Sequence, residues 1–332
     1  MGPWSGLGLA AAALLAAGCA GPREAGAAPA PGPSAAPARA EEPPRAPAEE
    51  GRVLRLRGPG ARLDAPPPRP EGPDGEAEAP VPPGALRTTY LPGGGLLYDP
   101  YLAAPRQSRS AAKLMIPAGA GEHVRIENTL GLNRSLFRWT SEDRPDAGTE
   151  VQFEAAVFGR FDLHEEWDMD ASDWRFGIPF VRREGDLAWK IHLYHLTSHL
   201  GDEYIARTGA KQIKYHLEEA AGGVSWDVSE GSRVYGEAAT AIYAGDPTGN
   251  GRVQAGFEWA GRKRSSGLSP YFAVDIQARN EQNWNPGKVV AVGLAYGRRI
   301  RMSLEYYHGR DTQTQFMKEQ IRYVAVGISF DF

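Results

Sequence analysis

Residues 323–332 read YVAVGISFDF. In an extended chain, successive side chains point to opposite faces. One face here carries Val324, Val326, Ile328, Phe330 and Phe332; the other carries Tyr323, Ala325, Gly327, Ser329 and Asp331. The same two-residue period recurs upstream. Ile300, Met302, Leu304 and Tyr306 oppose Arg301, Ser303, Glu305 and Tyr307. Val290, Val292, Leu294 and Tyr296 oppose Val289, Ala291, Gly293 and Ala295. Val253, Ala255, Phe257 and Trp259 oppose Gln254, Gly256, Glu258 and Ala260. Repeated alternation over about ten residues is the signature of half-buried strands.

Twelve such segments are expected, at 123–132, 136–142, 150–163, 173–182, 187–198, 212–229, 233–243, 252–261, 270–279, 288–297, 300–308 and 321–332. Ten strands is the alternative. Within 212–229, a bulge is expected near Gly222 and Gly223. A soluble β-sandwich and a transmembrane β-barrel both alternate, so other features must separate them. The non-apolar face is rich in Gly, Ala and Ser as well as charge, which suits a crowded interior. Aromatics recur at segment ends, among them Trp139, Trp167, Trp174, Trp226, Tyr243, Trp259, Tyr271, Trp284, Tyr296, Tyr306 and Tyr307, as interfacial girdles do. The expectation is an all-β, antiparallel barrel over 123–332 in a bacterial outer membrane. Its terminal strand, ending at Phe332, suits the barrel insertion machinery. A soluble exported sandwich is the remaining alternative.

The chain before the barrel differs in kind. Of 27 prolines, 18 precede Leu86; of the aromatics, only Trp4 does. A chain without bulky apolar groups cannot offset a backbone entropy cost of about 1–2 kcal/mol per residue. Residues 20–85 therefore read as a disordered Ala/Pro tether in the periplasm, and 86–122 as an extended lead-in. Residues 1–19 read as an export signal. Its end, Leu15-Ala-Ala-Gly-Cys19, is similar to a lipobox, which makes Cys19 a candidate for lipidation. A single cysteine excludes a disulfide scaffold. The net charge of −4 gives no reason to expect nucleic acid, and outer-membrane lipids are the expected surroundings.

The densest polar constellation is HLYHLTSHLGDEY (192–204). His195, Thr197 and His199 continue the apolar face of Leu187, Trp189, Ile191 and Leu193, whereas Ser198 points the other way. An imidazole beside a hydroxyl is the equipment of acyl transfer, so a lipid acyl-ester hydrolase is one reading. His195, His199, Asp202 and Glu203 could instead hold a divalent metal. A hydrogen-bonded rim that orders the following loop is the plainer account, and no cofactor is expected. Glu154, Arg160, Asp162, Arg175, Lys190, Glu237, Glu258, Asp275, Arg301 and Glu305 should face the lumen; they could line a pore, and the plainer account is that such mixed signs pair across a narrow barrel. Asp168, Asp170 and Asp173 read as a solvated loop, not a calcium loop.

Residues 96–332 resemble the bacterial family known as domain of unknown function 1207. The resemblance rests on LLYDPYLAAPRQSR (96–109), LGLNRSLFRW (130–139), AAVFGRFDL (155–163), DWRFGIPF (173–180) and above all HLTSHLGDEY (195–204). It implies an exported outer-membrane barrel and brings no reaction or ligand. This chain departs from the family pattern at Thr197, where Ser is expected. Without a reaction to infer, the expected role is non-enzymatic, in solute passage or envelope structure.

Overall fold

A computed structural model describes residues 86–331 apart from 94, 120, 142–143, 246–248, 262–266 and 298–299. The export signal, Cys19, the tether and Phe332 lie outside the described residues. Among the described residues, thirteen strands form one antiparallel sheet: β1 (Leu86–Tyr90), β2 (Ser110–Pro117), β3 (Arg125–Ser141), β4 (Arg144–Asp162), β5 (Asp168–Glu184), β6 (Leu187–Leu200), β7 (Tyr215–Ser229), β8 (Ser232–Ala244), β9 (Gly251–Ala260), β10 (Leu268–Arg279), β11 (Gly287–Tyr296), β12 (Ile300–Arg310) and β13 (Gln320–Phe330). Strands β2 to β13 each pair with the next. Strand β13 then pairs back to β2, with Phe330 opposite Ser110 and Tyr323 opposite Pro117, so twelve strands close a ring. Closure gives every wall strand two neighbours, as lipid demands of backbone polar groups. The sheet is one ring and not two packed layers, which rules out the sandwich.

The count of twelve is as expected, but two of its members differ. Residues 110–117, assigned to the lead-in, form β2, so the barrel begins before residue 123. The segments 123–132 and 136–142 are one strand, β3, whose register shifts between Ser135 and Phe137. That bulge moves the outward residues from Leu130, Leu132 and Arg134 to Phe137 and Trp139, which interrupts the alternation. The bulge expected near Gly222 is also elsewhere: the ladder of β7 with β8 shifts beside Glu218 and beside Asp227, while Gly222 and Gly223 pair regularly.

The phase of the wall is inverted relative to a soluble protein. Val326 is 56% exposed and its neighbour Ala325 is fully buried. Leu304, Val292 and Val253 face outward, whereas Glu305, Gln254 and Asp275 are buried inside. Tyr271 and Tyr307, expected in the interfacial girdle, also turn inward. Glycines in register on the adjacent strand make room for inward rings: a Cβ at Gly256 or Gly293 would strike Tyr235 or Tyr271. Trp226, Trp259, Tyr296 and Tyr306 stay on the outside.

The two ends of the barrel differ. Two residues separate β5 from β6 and two separate β7 from β8, at the end where β2 starts and β13 stops. The opposite end carries the longer connections, including a short helix α1 (Asp202–Thr208). Strand β1 lies outside the ring. It pairs with the last residues of β3, Leu86 opposite Ser141 and Tyr90 opposite Phe137. It therefore continues the line of β2 along the same edge of β3, and the chain between them takes another route.

Candidate functional site

That route runs through the lumen. Between Tyr90 and Ser110 the chain leaves the wall, and Tyr98, Tyr101, Ala103, Ala104, Ser108 and Arg109 become buried. Tyr101 stacks on Tyr235 at 3.7 Å, and its hydroxyl donates to Glu237 Oε2 at 3.1 Å. The backbone amides of Leu97 and Leu102 donate to Glu150 (2.9 Å) and Glu258 (2.5 Å). Arg106 pairs with the fully buried Asp173 and lies over the Phe158 ring at 4.1 Å. Arg109 Nε is 3.7 Å from Asp331. Burial pushes the phenols of Tyr98 and Tyr101 well above the usual tyrosine range, so both remain donors. The lumen segment touches walls on opposite sides. Ala103 packs in the cluster of Tyr271, Val289 and Tyr323; Tyr98, Tyr101 and Ala104 pack with Val181, Ala188 and Tyr235.

The long-loop end is stoppered separately. The connection between β12 and β13 folds inward, burying Asp311, Gln313, Thr314 and Gln315. Arg160 Nη1 donates to Asp311 at 2.6 Å, and Thr314 donates to Asp173 through its amide (3.0 Å) and hydroxyl (2.7 Å). At the short-turn end a cavity of about 600 Å³ remains, lined by Arg183, Arg233 and Arg301 among others. Each of these arginines is paired, with Asp227, Glu258 and Asp331 respectively.

The charges expected in the lumen are there, but instead of pairing across it they pair along the wall, between strands that are adjacent or one apart. Arg175 meets Glu154 at 3.0 Å, Lys190 meets Glu237 at 2.7 Å, and Lys113 meets Glu305 at 2.7 Å. Asp168, Asp170 and Asp173 do not form a solvated loop. They belong to β5, whose register shifts opposite Arg160 and Phe161, leaving Asp170 as the extra residue. Both Asp170 and Asp173 are thereby buried, Asp170 against Arg125 at 2.9 Å.

The sequence-selected cluster on β6 is split by the wall. The ladders of β6 with β5 and β7 are regular, so no bulge re-aims Ser198, which is buried inside with His192 and Tyr194. His195, Thr197 and His199 are on the outer face. His195 Nδ1 is 2.6 Å from Glu218 Oε1 on β7, and its ring lies 5.0 Å from Phe176. Thr197 pairs in register with Trp174 and His216. His199 Nδ1 is 3.3 Å from the Gln212 amide. Asp202 and Glu203 are exposed in the first turn of α1. No group of three or more metal-ligating side chains comes together among the described residues, so these four do not assemble the metal site considered above. Glu218 escaped the sequence reading because its register against His195 is set across the connection 201–214.

With this geometry in hand, the sequence model of the family described as "Protein of unknown function (DUF1207)" matches residues 73–332. The chain belongs to that family. The DUF1207 motif at 96–109 is the lumen segment itself, and the motif at 195–204 spans the outer face of β6 and the start of α1. No curated protein sequence matches the chain significantly. Solved structures similar to it include outer membrane phospholipases and a porin. The Salmonella typhi outer membrane phospholipase (OMPLA) dimer with bound calcium has a TM-score of 0.49 at 10% identity, over 70% of this chain and 93% of that one. Outer membrane phospholipase A from Escherichia coli gives 0.48 at 9% identity, over 69% and 94%. The KdgM porin gives 0.40 at 7% identity, over 67% and 98%.

Proposed function

We propose that this DUF1207 chain is an outer-membrane barrel whose lumen is held shut by its own segment 91–109. Its role then lies in the envelope, at the barrel's walls and ends, and not in free diffusion of solutes. The observation that carries this is the fastening of the segment to buried wall carboxylates: Arg106 to Asp173, and Tyr101 to Glu237. Removing one partner of a buried ion pair typically costs about 3–5 kcal/mol, so spontaneous withdrawal of the segment is disfavoured. The outward apolar band supports a bilayer environment, with the short turns and the tether on the periplasmic side. The terminal strand would be the element read by the insertion machinery. Reconstituted into a planar bilayer, the full chain should show no steady current; a stable ohmic conductance would overturn the proposal.

A second reading is supported by one feature, the His195–Glu218 hydrogen bond on the same outward face as Thr197. A hydroxyl, an imidazole and an orienting carboxylate in that order are the parts of an acyl-transfer centre. Thr197 would attack a lipid ester carbonyl while His195 takes its proton and passes it to the departing lysolipid oxygen; water, deprotonated by His195, would then release the fatty acid from Thr197, with Glu218 holding the imidazole throughout. The tests are Thr197→Ala and a combined replacement of His195 and His199 by Ala. Both should abolish fatty-acid release from phospholipid vesicles; an unchanged lipid profile would sink this reading.

A further inference from the structure

The excursion of the chain into the lumen leaves a mark on the outside of the barrel. Strand β2 accompanies β3 only as far as Thr129, opposite Ala111, and the Ser110 hydroxyl then donates to the Gly131 carbonyl at 3.0 Å. Strand β1 rejoins β3 at Phe137, preceded by the Leu91 amide donating to Leu136 at 3.0 Å. Between these points, residues 132–135 of β3 have no strand beside them on that edge. The outer wall is dented next to this gap by a groove of about 610 Å³. Leu130, Leu132, Val157, Trp174 and Phe176 line it around the small Ala155.

One charged side chain borders the groove on the outward side. Arg134 follows Leu130 and Leu132 on the outward face of β3, toward the short-turn end, and is exposed. The other arginines lining the cavity at that end are paired, whereas no carboxylate among the described residues pairs with Arg134. An outward arginine is costly at the bilayer midplane and tolerated near the interface, where lipid phosphates lie. A guanidinium suits a phosphate because its planar fork donates two parallel hydrogen bonds.

We propose that this groove is a binding site for a single glycerophospholipid, with one acyl chain lying over Ala155 and the phosphate held by Arg134. The proposal rests on the bilayer environment inferred above but not on a sealed lumen or on catalysis. The unpaired cation at one end of an apolar trough favours a phospholipid over a second copy of the chain, which would bring like charge to like charge.

The test is native mass spectrometry of the detergent-purified full chain, titrated with dioleoyl phosphatidylglycerol or with the diacylglycerol bearing the same chains. Arg134→Gln should weaken phosphatidylglycerol binding about tenfold and leave diacylglycerol binding unchanged. Ala155→Phe, which fills the groove and keeps the arginine, should weaken both. Equal phosphatidylglycerol retention by the wild type and Arg134→Gln would overturn the proposal. So would a lipid-free dimer that Ala155→Phe dissociates. Heat-modifiable gel mobility separates the two levels of the argument. Its loss in the wild type contradicts the barrel in a bilayer, whereas its presence without lipid selectivity contradicts the site alone.

Discussion

Asp173 shows how much a single lumen position carries. It is fully buried, accepts from the amide and hydroxyl of Thr314, and pairs with Arg106. It therefore joins the β5 wall, the lumen segment and the stopper at the long-loop end. Arg106→Leu would strand that carboxylate and is expected to lower stability by about 3–5 kcal/mol. Tyr101→Phe removes one neutral donor from Glu237, which keeps Lys190 and Arg252; the expected loss is about 1–2 kcal/mol. Denaturant midpoints of the refolded protein in detergent should rank them in that order. At this scale the sequence was informative about polarity and poor at partnership. The inward direction of Glu154, Arg160, Lys190 and Glu237 follows from alternation alone. The pairing of Tyr101 with Glu237, or of His195 with Glu218, depends on register and on a chain that turns into the lumen, and alternation carries neither.

At the scale of the strand, phase decides the energetics. Val292 faces outward on β11 and the adjacent Gly293 faces inward beneath Tyr271. Val292→Arg places a charge in the apolar band, at a cost of about 2–4 kcal/mol near the midplane. Val292→Leu should be close to neutral. Gly293→Leu should also destabilise, because a Cβ there meets the Tyr271 ring and the Met302 carbonyl. The yield of heat-modifiable folded protein, measured for all three, checks the phase of the wall. Strand number was legible for a partly fortuitous reason. The strand β2, SAAKLMIP, was hidden because its alternation is weak after two alanines and because it follows a Gly- and Pro-containing stretch. Strand β3 was divided because its bulge reverses the parity between Ser135 and Phe137. One omission and one division left the total at twelve.

For the whole molecule, the decisive feature is a segment that leaves the wall at Tyr90 and returns at Ser110. Along β3 its two ends are separated by about six residues, roughly 20 Å. Residues 91–95 joined to 106–109 could span that distance, since an extended chain reaches about 3.3 Å per residue. Deleting 96–105 should thus leave the barrel closed but its centre unfilled, and current should appear in planar bilayers where the full chain shows none. Unchanged silence would mean that the stopper at 311–319 seals the lumen by itself. The central claim is that residues 97–109 reside inside the folded barrel, and amide hydrogen exchange tests it most directly. The amides of Leu97 and Leu102, bonded to Glu150 and Glu258, should exchange as slowly as those of the surrounding strands. Exchange at the rate of an unprotected chain, with the strands themselves protected, would contradict it.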